Sequence, residues 1–450
     1  MTTFNRQSPL PFNIRKAYAM RDAFCVQRML AAKAGASVYE NTMRKLMNVA
    51  EARKQDGRYS IQAIFREFWP DFERRFASRL RPAIVTNIHR MIGCRDWKNG
   101  YLFFACPQCE NYQVQGLSCH SRICATCGKK YREQRTQSIA ARCLNVPHRQ
   151  FVFSIAKELR PYFREYRGLF DILFHSVYEA LVYLIWGKSK KARREGRSLG
   201  FIQFLHTFGR DLKFNPHIHV LIAERTLDAS GSLVKYDHFH YESLRKSFMN
   251  QLLKNIYSFL KVHADRTVCK QFYQLKTNLF RTYQDGFYAH GPKLANTSRV
   301  AIKNVTEYIA RYAAHPAIAE ERIVDVNPLK RSVTFYYDPH EDDHVEDPNQ
   351  KRGRQYVTLP VDDFLANLIV HVPDKGFHTI RAYGFYANRS RLPRRHLSKL
   401  YSVKELAVRK AQLRWRNLLK MTFRFDPLLC DCGHIMVFDP SLSYFPSGGG

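Results

Sequence analysis

Apolar residues recur at two periods along the chain, and the change between them marks its parts. Over residues 41–53 and again over 61–92, apolar and aromatic positions stand at helical spacing among Arg, Lys and Glu, which predicts a helical, polar N-terminal region across 1–93. From Pro147 the pattern turns mixed. Residues 151–155 read as a strand, 162–186 as helix and 188–197 as a basic loop. The run 201–208 is rich in strand formers, Asn215-Pro216 signals a turn, and 217–223 continue as an apolar strand, so the two runs form a hairpin. A helix over 241–262 follows. Strand, helix, strand, strand, helix predicts a sheet with helices on one face, the α+β class.

Further on, strand-like runs at 332–337 and 355–359 flank the acidic stretch 338–347, which reads as an exposed hairpin loop, and a helix follows over 360–371. The most apolar segment, 169–186, is interrupted by Asp171, His175 and Glu179. These lie four apart on one helical face, the solvated side of an amphipathic helix, and the sequence offers no run expected to span a membrane.

Charge changes this picture most. The chain carries 72 Lys and Arg against 39 Asp and Glu, a net charge of +33, with 14% aromatic residues interleaved. Such an excess implies a polyanionic partner, and aromatic rings offer stacking surfaces for bases, so DNA or RNA is favoured over an anionic membrane. The N-terminal sequence lacks the apolar segment of a signal peptide, which leads us to expect a cytoplasmic protein. Seven of the eleven cysteines, Cys106, Cys109, Cys119, Cys124, Cys127, Cys430 and Cys432, stand in or beside two tight groups. That spacing favours metal ligation over disulfides.

Cys106-Pro-Gln-Cys109 and Cys124-Ala-Thr-Cys127 are two Cys-x2-Cys knuckles, fourteen residues apart. They predict a four-cysteine zinc ribbon over 94–145, in which four thiolates on structural zinc supply folding energy that so small a unit lacks. Cys119 and His120 are spare donors. Lys129, Lys130, Arg132 and Arg135 then open a basic helix suited to phosphate contacts, and ordinary solvated surface accounts for the same run. Arg394 and Arg395 belong to a second basic cluster. Cys430-Asp-Cys432 reads as half a knuckle without a partner.

His217 and His219 share one face of their strand, and neutral imidazoles held side by side on a rigid strand make a chelate for a divalent cation. His206, on the partner strand, can face the same metal; Asp211 and Glu307 are alternative third ligands. Chance alone yields about one His-x-His in a chain with 18 histidines, so the bare pair is weak. His238-Phe239-His240 lacks strand signals and reads as structural or surface. Downstream, Thr306 is a helix N-cap candidate and Pro316 a stop. Tyr308 and Tyr312 lie one turn apart on one face, and by periodicity alone Val305, Tyr308, Ile309 and Tyr312 are a core-facing stripe.

A zinc ribbon, a strand-borne His-x-His and a downstream Tyr-x3-Tyr, in that order on a basic chain, resemble the two-tyrosine His-hydrophobe-His (HUH) transposases of rolling-circle bacterial insertion sequences, the insertion-sequence-ninety-one type. The likeness is carried by CPQC with SRICATC, VPHRQFVFSIAKEL, HTFGRDLKFNPHIHVLI, EYIARYAAHPAIAEERI and LPVDDFLANLIVHVPDKGFHTIRAYGFYANRSR, and covers about residues 94 to 432. It implies an α+β HUH nuclease core, an antiparallel sheet with helices, over 146–325, preceded by the ribbon and followed by a basic region over 326–450. It implies Tyr308 and Tyr312 as nucleophiles, His217 and His219 as metal ligands with magnesium or manganese, and a bacterial, nucleoid-associated enzyme that cuts and joins single-stranded DNA at element ends through a 5′-phosphotyrosine. Glu110 and the Cys-x-Cys at 430–432 depart from the family pattern, which carries Gly and Cys-x2-Cys there. A related replication initiator or relaxase shares the chemistry. A non-catalytic zinc-ribbon DNA-binding protein, or a hydrolytic nuclease, would use the same residues differently.

Overall fold

The computed structural model describes residues 59–445 apart from 110, 188–189, 237, 292–304, 310–311, 313–315, 339–352 and 388–400. The helix expected at 41–53, Glu110, most of the acidic loop, Arg394 and Arg395 thus lie outside the described residues. The helix expected over 61–92 is two. α1 (Ile61–Phe76) is capped by the Ser60 hydroxyl, which accepts from the Ala63 N–H, and α2 (Pro82–Ile92) opens on a proline, whose missing N–H costs nothing there. A hairpin of β1 (Tyr101–Ala105) and β2 (Tyr112–Gly116) leads into α3 (Ala125–Ala140).

β3 (His148–Ser154) is followed by α4 (Arg160–Glu165) and α5 (Leu169–Trp186), so the helix expected over 162–186 is interrupted ahead of Leu169. α6 (Lys190–Arg194) stands where a basic loop was expected. Then come β4 (Ser198–Phe208), β5 (Phe214–Leu227), β6 (Leu233–Lys235), α7 (Tyr241–His263), α8 (Arg266–Thr282) and β7 (Ala289–His290). Residues 305–309 and 312 are helical and are called α9. The rest is β8 (Ile323–Asn327), β9 (Ser332–Tyr337), β10 (Gln355–Pro360), α10 (Val361–Ile369), β11 (Ile380–Gly384), α11 (Val403–Gln412), α12 (Trp415–Phe423) and β12 (Val437–Tyr444).

The chain is α+β, built on a six-stranded antiparallel sheet in the order β11-β4-β5-β3-β7, with β6 paired to β5. β4 and β5 are buried on both faces. Phe201, Leu205, Ile218, Val220 and Ile222 meet α5, α7 and α8, whereas Ile202, Phe204, Leu221 and Ala223 meet the end of α3 and α9. Helices therefore cover both faces and not one, because an apolar strand with two apolar faces leaves neither to water. β11 joins the sheet beside β4, so the core reaches past the boundary expected at 325.

α5 is long and apolar enough to cross a membrane, yet Phe170, Leu173, Phe174, Val177 and Leu181 are buried in the main core. Its polar stripe is solvated as expected: Asp171 pairs with Arg381, and His175 lies 3.5 Å from Glu179. A second core joins α1 and α2 to α10 and to the three-stranded sheet β10-β9-β8. Arg75 to Asp362, at 2.6 Å, and the Ile61 N–H donated to Glu320, at 2.8 Å, stitch the same contact. The N-terminal helices are thus part of one packed unit with α10 and the β10-β9-β8 sheet. A third sheet, β12-β1-β2, brings the end of the described chain onto the first hairpin.

A candidate histidine and tyrosine centre with two cysteine clusters

β4 and β5 align His206 opposite His217 and Phe204 opposite His219, while β3 places Val152 beside His219. This register puts three imidazoles on one face of the central strands, with ring centroids 4.8 to 5.5 Å apart. One ligand nitrogen from each lies within 4.8 Å of the others. Asp211 does not join them; it builds the β4–β5 turn, accepting the Lys213 N–H at 3.1 Å and pairing with the Lys213 ammonium. Glu307 is exposed and stands apart from the cluster. His240 of the second His-x-His caps α7, its ring accepting from the Ser243 N–H.

Hydrogen bonds fix the imidazole tautomers, because a carbonyl can only accept. His217 Nδ1 donates to the Asn215 carbonyl at 2.7 Å, which leaves Nε2 with a bare lone pair, and His206 Nε2 donates to the Tyr312 carbonyl at 2.9 Å. His217 Nε2 faces His219 Nε2 at 3.1 Å, and His219 Nδ1 is buried without a hydrogen-bond partner. Two cis ligands of an octahedral cation, each about 2.1 Å from it, lie about 3 Å apart, so this pair is preset for one. Burial holds both imidazoles below their ordinary range: at His217 it outweighs the hydrogen bond to the Asn215 carbonyl, which pulls the other way, with Arg160 adding to the lowering, and at His219 both His206 and His217 add to it. Both rings are neutral at pH 7. The donor set therefore fits a divalent cation.

Helix α9 lies over this face and separates its two tyrosines. The Tyr312 ring rests on His219, centroids 4.1 Å apart, and is half-buried. Tyr308, one turn earlier, is 5% exposed, packed edge-on to Phe204, and donates to the Val220 carbonyl at 3.4 Å. Burial, and then the neighbouring Tyr312, raise its hydroxyl well above the usual phenol range. Thr306 lies inside the helix and bonds the Tyr401 hydroxyl at 3.1 Å, rather than capping it. Beside the centre, a cavity of about 310 Å³ is bordered by His206, Arg122, Arg167 and Lys375.

The zinc ligand set expected from the two knuckles is corrected by the fold. Cys124 and Cys127 cluster with Cys94 and Cys119, whereas Cys106 and Cys109 cluster with Cys430 and Cys432. The reason is the β1–β2 hairpin. Cys106 and Cys109 sit at its closed tip, where Ala105 pairs with Tyr112, while Cys94 and Cys119 flank its open end, where Tyr101 pairs with Gly116. Strands of this length hold the two ends about 15 Å apart, too far for one ion. Cys119 was legible as a spare donor; Cys94, a lone cysteine after Gly93, was missed. The half-knuckle at 430–432 has its partner after all.

In the first cluster, Cys94–Cys127, Cys119–Cys127 and Cys94–Cys124 sulfurs are each 3.7 Å apart, and all four residues are buried. Thiolates about 2.3 Å from one zinc lie about 3.8 Å apart, and a disulfide would be about 2 Å, so the spacing suits zinc. Of the basic residues expected to grip DNA, Lys129 is exposed on α3 and lies over the Phe423 ring. Lys130 and Arg132 are half-buried, and burial pulls the Lys130 ammonium below its ordinary range.

Comparison with known proteins finds transposases. A profile described as "Transposase zinc-binding domain" matches residues 64–155, and one described as "Putative transposase" matches 200–393. The transposase for insertion sequence element IS801 of Pseudomonas savastanoi pv. phaseolicola is 27% identical over 81% of this chain and 85% of its own length. "Putative transposase y4qJ" of Sinorhizobium fredii (strain NBRC 101917 / NGR234) is 26% identical over 66% of this chain and 73% of its own. No solved structure matches significantly.

Proposed function

This chain belongs to the IS91 family of insertion-sequence transposases, and from that premise we propose that it cuts and rejoins single DNA strands by tyrosine transesterification during rolling-circle transposition. Its partner is DNA. The observation that carries the proposal is the seating of Tyr312 on the three-histidine cluster, its ring 4.1 Å from that of His219.

The phenol oxygen of Tyr312 attacks the scissile phosphorus, the P–O3′ bond breaks, and the leaving 3′ oxygen takes up the proton the phenol gives up. The products are a 5′-phosphotyrosine and a free 3′-hydroxyl. Because the new ester keeps the bond energy, the 3′-hydroxyl of another strand can reverse the step without ATP. An ordinary Tyr hydroxyl, with a pKa near 10, is a weak nucleophile at pH 7. His206, His217 and His219 would hold magnesium or manganese, which supplies charge stabilisation at the phosphate. His206 contributes twice, since its bond to the Tyr312 carbonyl also ties the nucleophile's backbone to the cluster. Arg122, Arg167 and Lys375 around the adjoining cavity, with the start of α3, give the strand its cationic path. Tyr308 would serve a second cleavage, which requires α9 to lift its hydroxyl out of the core.

The test is incubation with labelled single-stranded DNA from the element's ends and magnesium or manganese, followed by denaturing electrophoresis. A protein-linked label that His217→Ala and Tyr312→Phe both lose is the expected result. Cleavage without a linked label would instead establish a hydrolytic nuclease, and binding without cleavage a DNA-binding protein whose tyrosines serve the core.

A further inference from the structure

The zinc-binding profile ends at residue 155 and the transposase profile at 393, so neither reaches Cys430 or Cys432. Yet the fold delivers both to the tip of the β1–β2 hairpin. β12 runs antiparallel to β1, with Val437 opposite Ala105, so the residues just before β12 arrive where Cys106 and Cys109 stand. The tight turn that presents them is explicit: Leu429 bridges Ile435, the Cys430 N–H donates to His434 at 2.8 Å, and Gly433 takes a φ of 85° that a side chain would disfavour. Sulfurs of Cys106–Cys432, Cys109–Cys430 and Cys109–Cys432 are each 3.5 Å apart.

We propose that Cys106, Cys109, Cys430 and Cys432 hold a second structural zinc, a clasp that fastens the C-terminal segment to the N-terminal zinc module across more than 300 residues of sequence. The spacing is near the roughly 3.8 Å of a tetrahedral tetrathiolate and far from a disulfide's roughly 2 Å. Apolar support at this tip is thin. The buried residues packed with Cys106 and Cys430 are Phe104 and Met436, with Trp415 stacked on Phe104 at 6.1 Å. A three-stranded sheet with so small a core gains its stability from a metal that only the assembled fold can bind. What the clasp holds is α12, which packs on α3 with Lys129 over Phe423, while Arg409 of α11 bonds Gln137 of α3. Those contacts set the angle at which the basic start of α3 is offered to DNA.

The full-length protein, purified under reducing conditions, is analysed for zinc by elemental analysis and for cysteine accessibility by alkylation with N-ethylmaleimide and peptide mass spectrometry. Two zinc ions per chain are expected, falling to one in the Cys430→Ser, Cys432→Ser double variant. Cys432 is exposed, so burial cannot shield it. Its resistance to alkylation in the native protein, and its labelling once a chelator is added, would report ligation even if the double variant failed to fold. One zinc per chain with Cys432 alkylated at once, a Cys432 disulfide, or two ions that survive the double substitution would each overturn the clasp.

Discussion

The ring of Tyr312 lies against that of His219, centroids 4.1 Å apart, while Tyr308 one turn away sends its hydroxyl into the sheet at Val220. Two residues that share a helical face thus occupy different chemical environments. On the proposed mechanism Tyr312 makes the first cut. Tyr312→Phe is expected to abolish the first protein-linked product. Tyr308→Phe should leave it intact and block only products that need two cleavages. A first adduct mapped to Tyr308 by peptide mass spectrometry would reverse this order.

Two buried histidines outside the three-histidine cluster set an acid limit on stability. Burial lowers His148 to about 4 and His371 to about 3, from about 6.5. His148 donates through Nδ1 to Val146 and accepts the Tyr386 hydroxyl at 2.6 Å; His371 accepts from Thr207 at 2.9 Å. Because both folded values lie below the unfolded one, the unfolded chain takes up protons first as pH falls. Their contribution is complete above about 6.5 and is lost between there and about 4 for His148 and about 3 for His371. By pH 5 each costs about 2 kcal/mol. Urea unfolding at pH 7.5 and pH 5 should show the drop, and His371→Gln should make it shallower; equal slopes for variant and parent would exclude His371 from it.

How far the sequence was legible depended on the range of the contacts. His217 and His219 were readable because strand alternation is local, and so was the hairpin that brings His206 opposite. The pairing of cysteines was not, since it turns on which end of a hairpin each knuckle occupies and on a strand more than 300 residues away. Likewise a period of 3.6 assigns Tyr308 and Tyr312 to one stripe but cannot say where the stripe runs off the core and onto the histidines. β11 was missed as a member of the central sheet because a short edge strand carries little pattern of its own.

Arg149 and Glu224 form an ion pair inside the central sheet, with side chains 4% and 6% exposed and Arg149 Nη2 2.7 Å from Glu224 Oε1. Arg149 also reaches the Tyr241 hydroxyl and lies over the Phe239 ring, so it has no route to water. Removing its carboxylate strands a buried cation, which costs about 3–5 kcal/mol. Glu224→Ala should therefore lower the unfolding free energy measured in urea by that much. A loss under about 1 kcal/mol would mean that the guanidinium relaxes to solvent.

The two cysteine clusters should differ in what their loss does. Cys94, Cys119, Cys124 and Cys127 lie in the same buried cluster as Ile61, Trp69, Phe364 and Leu368, so a metal bound there would tie α1, α2 and α10 together. Structural zinc brings about 10 kcal/mol of apparent binding energy to such a site, comparable with the whole stability of a domain. Cys94→Ser is thus expected to open the N-terminal helices and the β8–β10 sheet to protease, while Cys430→Ser frees only the C-terminal segment. Limited proteolysis with mass spectrometry of the fragments distinguishes them. If Cys94→Ser released nothing beyond what Cys430→Ser releases, the buried cluster would be holding its helices by apolar packing alone, and its cysteines would be ordinary core residues.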